Sequence, residues 1–144
     1  MLTTDQKGAI AEAAIALAAI ELGIGVSRPL GDERYHLIFD LRSEFVRVQS
    51  KWAPKCGDVI AVPCRSCRRG PDGFIRRRYS AHEVDAIAAY CPELGRCYFL
   101  PLDRFEDRTF IQLRLAPTRN KQRQGINWAR EYEFAARLGD TTGP

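Results

Sequence analysis

Two alternating runs with a short polar break between them constrain this chain more than anything else in it: Tyr35-His36-Leu37-Ile38-Phe39-Asp40 and Phe45-Val46-Arg47-Val48-Gln49-Ser50-Lys51. Alternation of this kind is the mark of strands, in which side chains two apart share a face. Gln49 and Lys51 therefore point one way, while Val46, Val48 and Ser50 point the other. If Arg42-Ser43 closes a hairpin, the numbers of facing residues sum to a constant, which sets Phe39 opposite Val46 and His36 opposite Gln49. An amide carbonyl and an ammonium then converge on one spot.

Upstream, Thr3-Thr4-Asp5-Gln6 offers capping residues for a helix from about Gln6 to Leu22, ended by Gly23 and Gly25. Between Ala9 and Leu22 only Glu12 and Glu21 are charged, so most of this helix is apolar and is expected to pack against a sheet. Glu12, on such a helix, needs a partner. Taken singly, each candidate has a bland reading: Glu12 as a solvent-facing carboxylate, His36 as a satisfied sheet histidine, Lys51 as an ordinary strand lysine. The ordered set is what points to chemistry. A carboxylate, an oxygen or nitrogen donor on the neighbouring strand, and Gln-x-Lys form the layout of a metal-dependent nuclease site. Ligands there hold Mg²⁺ on the scissile phosphate, and the lysine positions water and neutralises charge.

The same order and spacing continue along the chain. Lys7-Gly8-Ala9-Ile10-Ala11-Glu12 is followed by Arg34-Tyr35-His36-Leu37 and Val48-Gln49-Ser50-Lys51-Trp52-Ala53. Glu83-Val84-Asp85, Tyr90-Cys91-Pro92 and Tyr98-Phe99-Leu100-Pro101 come next, then Asn120-Lys121-Gln122 and Ile126-Asn127-Trp128-Ala129. In these segments the chain resembles the PD-(D/E)XK endonucleases related to group I intron homing endonucleases, in their branch with Gln-x-Lys in place of Glu-x-Lys. The resemblance implies an α/β fold with a restriction-endonuclease-like core, a mixed central sheet flanked by helices. It also implies hydrolysis of phosphodiester bonds in duplex DNA, leaving a 5′-phosphate and a 3′-hydroxyl. Glu12, residue 36 and Gln49 would arrange Mg²⁺ or Mn²⁺, and Lys51 would orient the attacking water.

One position departs from the family pattern. The metal-binding aspartate of the family directly follows the tyrosine of this strand, so its place is taken by His36. Asp40 shares the strand face but lies roughly 13 Å along it at about 3.3 Å per residue, too far to substitute. Either His36 serves as a nitrogen ligand or this copy binds Mg²⁺ poorly, since imidazole suits Mn²⁺, Zn²⁺ or Ni²⁺ better.

At 144 residues the chain is sized for one compact domain. Twenty-two basic against eighteen acidic residues leave +4, a mild excess whose placement matters more than its size. Arg65, Arg68, Arg69, Arg76, Arg77 and Arg78 crowd one segment, which reads either as a solvated loop or as a surface for phosphates. Arg119-Asn120-Lys121-Gln122-Arg123-Gln124 mixes basic and amide side chains, as base readout requires, or is a plain polar linker. With Lys55, the residues expected to hold DNA are Arg65, Arg68, Arg69, Arg76, Arg77, Arg78, Arg119, Asn120 and Gln122. No apolar run is long enough to span a bilayer, and the start lacks a signal-peptide layout, so a cytoplasmic protein is expected. Five cysteines without export signals argue for reduced thiols. Cys64-x-x-Cys67 followed by Cys91 and Cys97 raises a zinc site, although the second pair is spaced more widely than zinc knuckles use.

Further strands are expected near Val59 to Val62, over Val84 to Tyr90, at Cys97 to Pro101 in a hairpin closed by Pro92 to Gly95, and at Phe110 to Leu115. Propensity alone makes the alanine-rich Val84 to Tyr90 stretch a helix; the resemblance makes it a strand. The basic segment from Pro63 to about Tyr79 reads as a flexible excursion with Gly70, Pro71 and Gly73 at its tip. A terminal helix from about Asn127 to Leu138 would carry Trp128, Tyr132, Ala135 and Ala136 on its apolar face. Because a duplex has two strands to cut, a homodimer or homotetramer on double-stranded DNA is expected. The alternatives are a DNA-binding protein whose centre is inactivated at position 36, and a zinc-organised nucleic-acid-binding domain. Junction resolution also fits the nuclease class.

Overall fold

The first helix, α1 (Thr4–Glu21), starts with a capping box in which the Thr3 Oγ1 accepts from the Gln6 N–H at 3.1 Å and the Gln6 Oε1 accepts from the Thr3 N–H at 2.9 Å. Ala11, Ile15 and Ala19 form its buried stripe, while Ile10, Leu17 and Ile20 lie on the outside with 38–57% of their surface exposed. The helix is thus apolar on both sides, and only one side meets the sheet. Gly23, with φ of 83°, ends the run and turns the chain into the first strand.

After α1 come β1 (Gly25–Ser27), β2 (Leu37–Asp40), β3 (Phe45–Trp52), β4 (Lys55–Cys56), β5 (Val59–Pro63), β6 (Arg65–Gly70), β7 (Gly73–Arg78), β8 (Ala86–Cys91), β9 (Arg96–Pro101), β10 (Phe110–Arg114) and α2 (Phe134–Leu138). Short 3-10 turns occupy Leu102–Arg104 and Ala129–Glu131. This computed structural model describes residues 1–70, 73–78, 83–105, 108–118, 120 and 125–139, the stretches 65–70 and 73–78 by backbone only.

The main sheet runs β1-β2-β3-β8-β9, with β3 and β8 parallel and its other neighbours antiparallel. Phe39 pairs with Val46, as the constant sum requires, and Arg42 supplies the left-handed residue of the turn with φ of 70°. The Arg42 N–H donates to the Asp40 Oδ1 at 2.8 Å, which ties Asp40 into that turn. A second sheet, β10-β5-β4, covers one face of the first, and α1 and α2 cover the other. Along β8, Ala86 and Ala88 belong to the helix-side core, and Ile87 and Ala89 to the core shared with β5 and β10. A strand buried on both faces against a parallel neighbour has no need of polar alternation, which is why this stretch is a strand despite its alanines. Phe39 meets Phe99 stacked at 6.4 Å and Phe134 edge-on at 6.0 Å, fastening α2 to the sheet.

Two expectations change. The basic segment carries regular structure in its described part: β6 and β7 pair antiparallel, with Arg65 opposite Arg78 and Cys67 opposite Arg76. The terminal segment is not one helix. The Tyr132 carbonyl accepts from the Phe99 N–H at 2.7 Å, and Glu133 forms a bridge with Tyr98. The backbone here serves the open edge of β9, so it cannot also close helical turns. Phe134 and Leu138 are buried in place of the exposed Ala135 and Ala136, Tyr132 is in the core, and Trp128 is half-buried under the Arg130 guanidinium at 5.0 Å. No described helix is long and apolar enough to cross a membrane.

Candidate active site

β3 carries the centre of the site because it lies between the two cores. Gln49 pairs with Ile87 and Lys51 with Ala89, both of the core shared with β5, whereas Ser50 pairs with Ala88 on the helix side. Gln49 and Ser50 are each only 7% exposed, and Lys51 is half-buried. Side chains of one short segment thus reach both faces of the sheet at the point where β2 has stopped pairing.

The β2–β3 ladder ends at Leu37 opposite Val48, one step before His36. The His36 N–H still donates to the Val48 carbonyl at 2.9 Å, but the ring turns to the helix side, where Nδ1 lies 2.7 Å from the Ser50 Oγ. The ring partner is therefore Ser50 and not the Gln49 expected from an extended register. Leaving the ladder frees residue 36 from strict alternation, and a hydroxyl on an otherwise apolar face needs a polar partner.

Glu12 and His36 line one pocket of about 200 Å³ together with Arg28 and Tyr35. The Arg28 Nη2 lies 3.1 Å from the Glu12 Oε1, so this carboxylate of α1 is paired. His36 is exposed at the pocket mouth, yet its ring is partly shielded by the walls. This desolvation, the largest influence, lowers its pKa below the ordinary value of 6.5, with Glu12 opposing and Lys51 and Arg28 adding to the shift. Burial thus favours the neutral imidazole. Glu12 and His36 line one pocket on the helix side, whereas Gln49 and Lys51 leave β3 on the side of the core shared with β5.

Asp40 sits at the far end of β2, tied to Arg42, and takes no part. Lys55 is exposed, its backbone N–H donating to the Glu93 Oε2 at 3.2 Å, and Asn120 is exposed. Arg119 and Gln122 lie outside the described residues, as do the side chains of Arg65, Arg68, Arg69, Arg76, Arg77 and Arg78. The Glu83-Val84-Asp85 segment turns out to fasten the site strand. Asp85 takes a fork from Arg47, with contacts of 3.0 and 3.1 Å to its guanidinium and 2.8 Å to its backbone N–H, and Glu83 pairs with Arg34 at 3.2 Å.

Two of the four cysteines considered for zinc diverge. Cys91 is buried in the core shared with β5, and Cys97 packs against the helix-side core, on opposite faces of one sheet. Cys64 is buried near its own strand, with its thiol donating to the Val62 carbonyl at 3.6 Å, and the Cys67 side chain lies outside the described residues. Burial pushes the Cys64 thiol up to about 11 and the Cys97 thiol to about 12, away from the thiolate that zinc needs. Among the described residues, no group of three His, Cys, Asp or Glu side chains converges as a metal cluster.

Sequence reasoning missed Ser50 and Arg28. Ser50 was legible in principle, as the one polar residue on the inner face of β3. Arg28 gave no local signal, because its meeting with Glu12 depends on how β1 returns beside α1.

Among curated proteins, none matches the chain. A solved structure described as that of a bacterial homing endonuclease, I-Ssp6803I, is similar to it at a TM-score of 0.71 and 30% identity, over 93% of this chain and 90% of that one. A sequence profile for PD-(D/E)XK endonucleases matches residues 2–135. With a mixed five-stranded sheet, a helix-borne glutamate and Gln-x-Lys on the central strand, the chain belongs to the PD-(D/E)XK endonuclease family.

Proposed function

We propose that this protein is a divalent-metal-dependent endonuclease of duplex DNA, acting as one domain of the homing-endonuclease type. The observation that carries the reading is the meeting of Glu12 and His36 in one pocket, with His36 bonded to Ser50 of the Gln-x-Lys strand. The expected donors suit a divalent ion: the Glu12 carboxylate and the His36 imidazole meet in this pocket, and the Gln49 amide, which leaves β3 on the opposite face, is the third donor that the family pattern implies. Because one of the three is nitrogen, the set suits Mn²⁺ at least as well as Mg²⁺. A bound ion would polarise the scissile phosphate and acidify a water molecule. The chain's own groups do the rest. Lys51 neutralises charge building on the phosphate and orients the attacking water, Ser50 holds the imidazole, and Arg28 directs the Glu12 carboxylate.

Lys55, Asn120 and the arginines of β6 and β7 are assigned to the DNA backbone, with Arg119 and Gln122 completing the contact. A second copy of the chain supplies the centre for the opposite strand. The exposed stripe of Ile10, Leu17 and Ile20 supports this, since a helix face that apolar is best covered by its own symmetric partner.

A second reading is favoured by one observation: His36 holds the place of the family's aspartate, and its Nδ1 is already engaged by Ser50. On that reading the protein binds DNA without cutting it. Incubation of plasmid and randomised duplex DNA with the intact protein, in Mg²⁺ and in Mn²⁺ with Lys51→Ala alongside, separates the two. Cutting that vanishes in the lysine variant is expected. Salt-sensitive binding without cutting in either metal would establish the retired centre instead.

A further inference from the structure

β10 is buried on one side and polar on the other, and the outward side has an unusual composition. Ile111 and Leu113 are wholly buried, whereas Phe110 and Gln112 are exposed and Arg114 is half-buried. Arg108 begins the same alternating row one step before the strand, where pairing with the neighbouring chain already holds through the Thr109 carbonyl and the Cys64 N–H at 2.8 Å. The row is Arg-x-Phe-x-Gln-x-Arg. It lines a groove of about 370 Å³ with Asn127, and no acidic side chain is among the lining residues described.

Three features narrow what such a row can bind. First, its partner strand β5 presents Val59, Ala61 and Pro63 opposite Arg114, Gln112 and Phe110, so the long side chains stand beside compact ones and a ligand can approach the ribbon closely. Second, the outer edge of β10 is partly covered, because the Arg114 N–H donates to the Asn127 carbonyl at 2.8 Å and Arg114 bridges with Trp128. Addition of a strand from another chain at that end is blocked. Third, Arg114 is held in place, with Nε and Nη2 donating to the Ala116 and Pro117 carbonyls at 3.2 and 3.3 Å.

A two-stranded antiparallel ribbon is of a size that the major groove admits, where arginine pairs with guanine, glutamine with adenine, and an apolar side chain with the thymine methyl.

We propose that the outward face of the β5–β10 ribbon reads base edges in the major groove, with Arg108 and Gln112 as specificity-determining residues and Arg114 as a phosphate anchor. This assignment rests on the reading of the protein as a DNA endonuclease. Phe110, apolar and 49% exposed, supplies the contact to a thymine methyl.

The test uses the full chain and a pool of randomised duplexes, with bound molecules sequenced after selection. Wild type is expected to enrich one sequence. Gln112→Ala loses the base preference at one position by about tenfold, and Gln112→Glu moves that preference from adenine towards cytosine, whose exocyclic amine suits a carboxylate. Arg108→Ala loses a guanine position. Arg114→Ala weakens binding to all sequences alike and flattens the salt dependence. Thermal unfolding of each variant confirms that it is folded. A wild type that enriches a sequence which every variant reproduces overturns the β10 assignment alone, as does a wild type that binds and cuts with no preference. A wild type that neither binds nor cuts the pool overturns the endonuclease reading, and this assignment with it.

Discussion

The Nδ1 atom of His36 lies 2.7 Å from the Oγ atom of Ser50, across the end of the β2–β3 ladder. The contact sets the plane of the imidazole and decides which ring nitrogen faces the pocket.

Ser50→Ala removes that hold without touching Glu12, Gln49 or Lys51. Loss of such an outer partner weakens a metal site by roughly 10- to 100-fold. The expected result is a rise of that order in the Mn²⁺ concentration needed for half-maximal cutting, at little cost in stability. Ser50→Thr keeps the hydroxyl and should recover much of the loss. Equal metal requirements in wild type and Ser50→Ala would remove Ser50 from the site.

His36→Asp restores a hard oxygen donor where the imidazole now stands. Oxygen ligands favour Mg²⁺, so the ratio of cutting rates in Mg²⁺ and Mn²⁺ should rise in the variant. A ratio that stays at the wild-type value would show that residue 36 does not touch the ion.

The Arg47–Asp85 fork fastens β3 to the segment leading into β8. Its hydrogen bonds hold the Asp85 carboxyl below its ordinary value of 3.8, against a smaller opposing effect of desolvation. A carboxylate whose pKa is depressed by folding stabilises the folded state above its unfolded pKa, and the gain fades as pH falls through the folded value. Asp85→Asn should therefore melt below wild type at pH 6 to 8, with the gap closing under about pH 4. Melting curves across that range check it; a gap of constant size at pH 3 would assign the effect to packing.

Leu17→Glu puts a charge on the exposed stripe of α1, away from the core residues Ala11, Ile15 and Ala19. Sedimentation should then report single chains, and plasmid cutting should shift from double-strand breaks to nicks. An unchanged assembly would place the contact between copies elsewhere.

The parts legible in the sequence are those governed by short-range rules. The constant-sum register placed Phe39 on Val46, and Thr3 with Gln6 gave the helix start. β8 was legible only through resemblance, because Ala86, Ala88 and Ala89 express burial on two faces and not a strand preference. The terminal helix misled for the opposite reason. Its residues favour helix, but the unpaired edge of β9 claims the Tyr132 carbonyl, a demand made by a strand more than thirty positions earlier. The Cys91 and Cys97 thiols misled because spacing says nothing about which sheet face each will take. Arg28 meeting Glu12 likewise depends on chain path, which no local pattern encodes.

The parallel seam between β3 and β8 also sets an order of events during synthesis. Every residue assigned to the chemistry, from Glu12 to Lys51, is translated early, yet Arg47 and the Asp85 that fastens it are 38 positions apart. Closing so long a loop comes late in folding, after the local hairpin has formed. A chain halted on the ribosome before Ala86 would thus hold the whole set of reactive groups on an unsupported hairpin. For an endonuclease, the seam is a safeguard: the blade is forged first and hafted last.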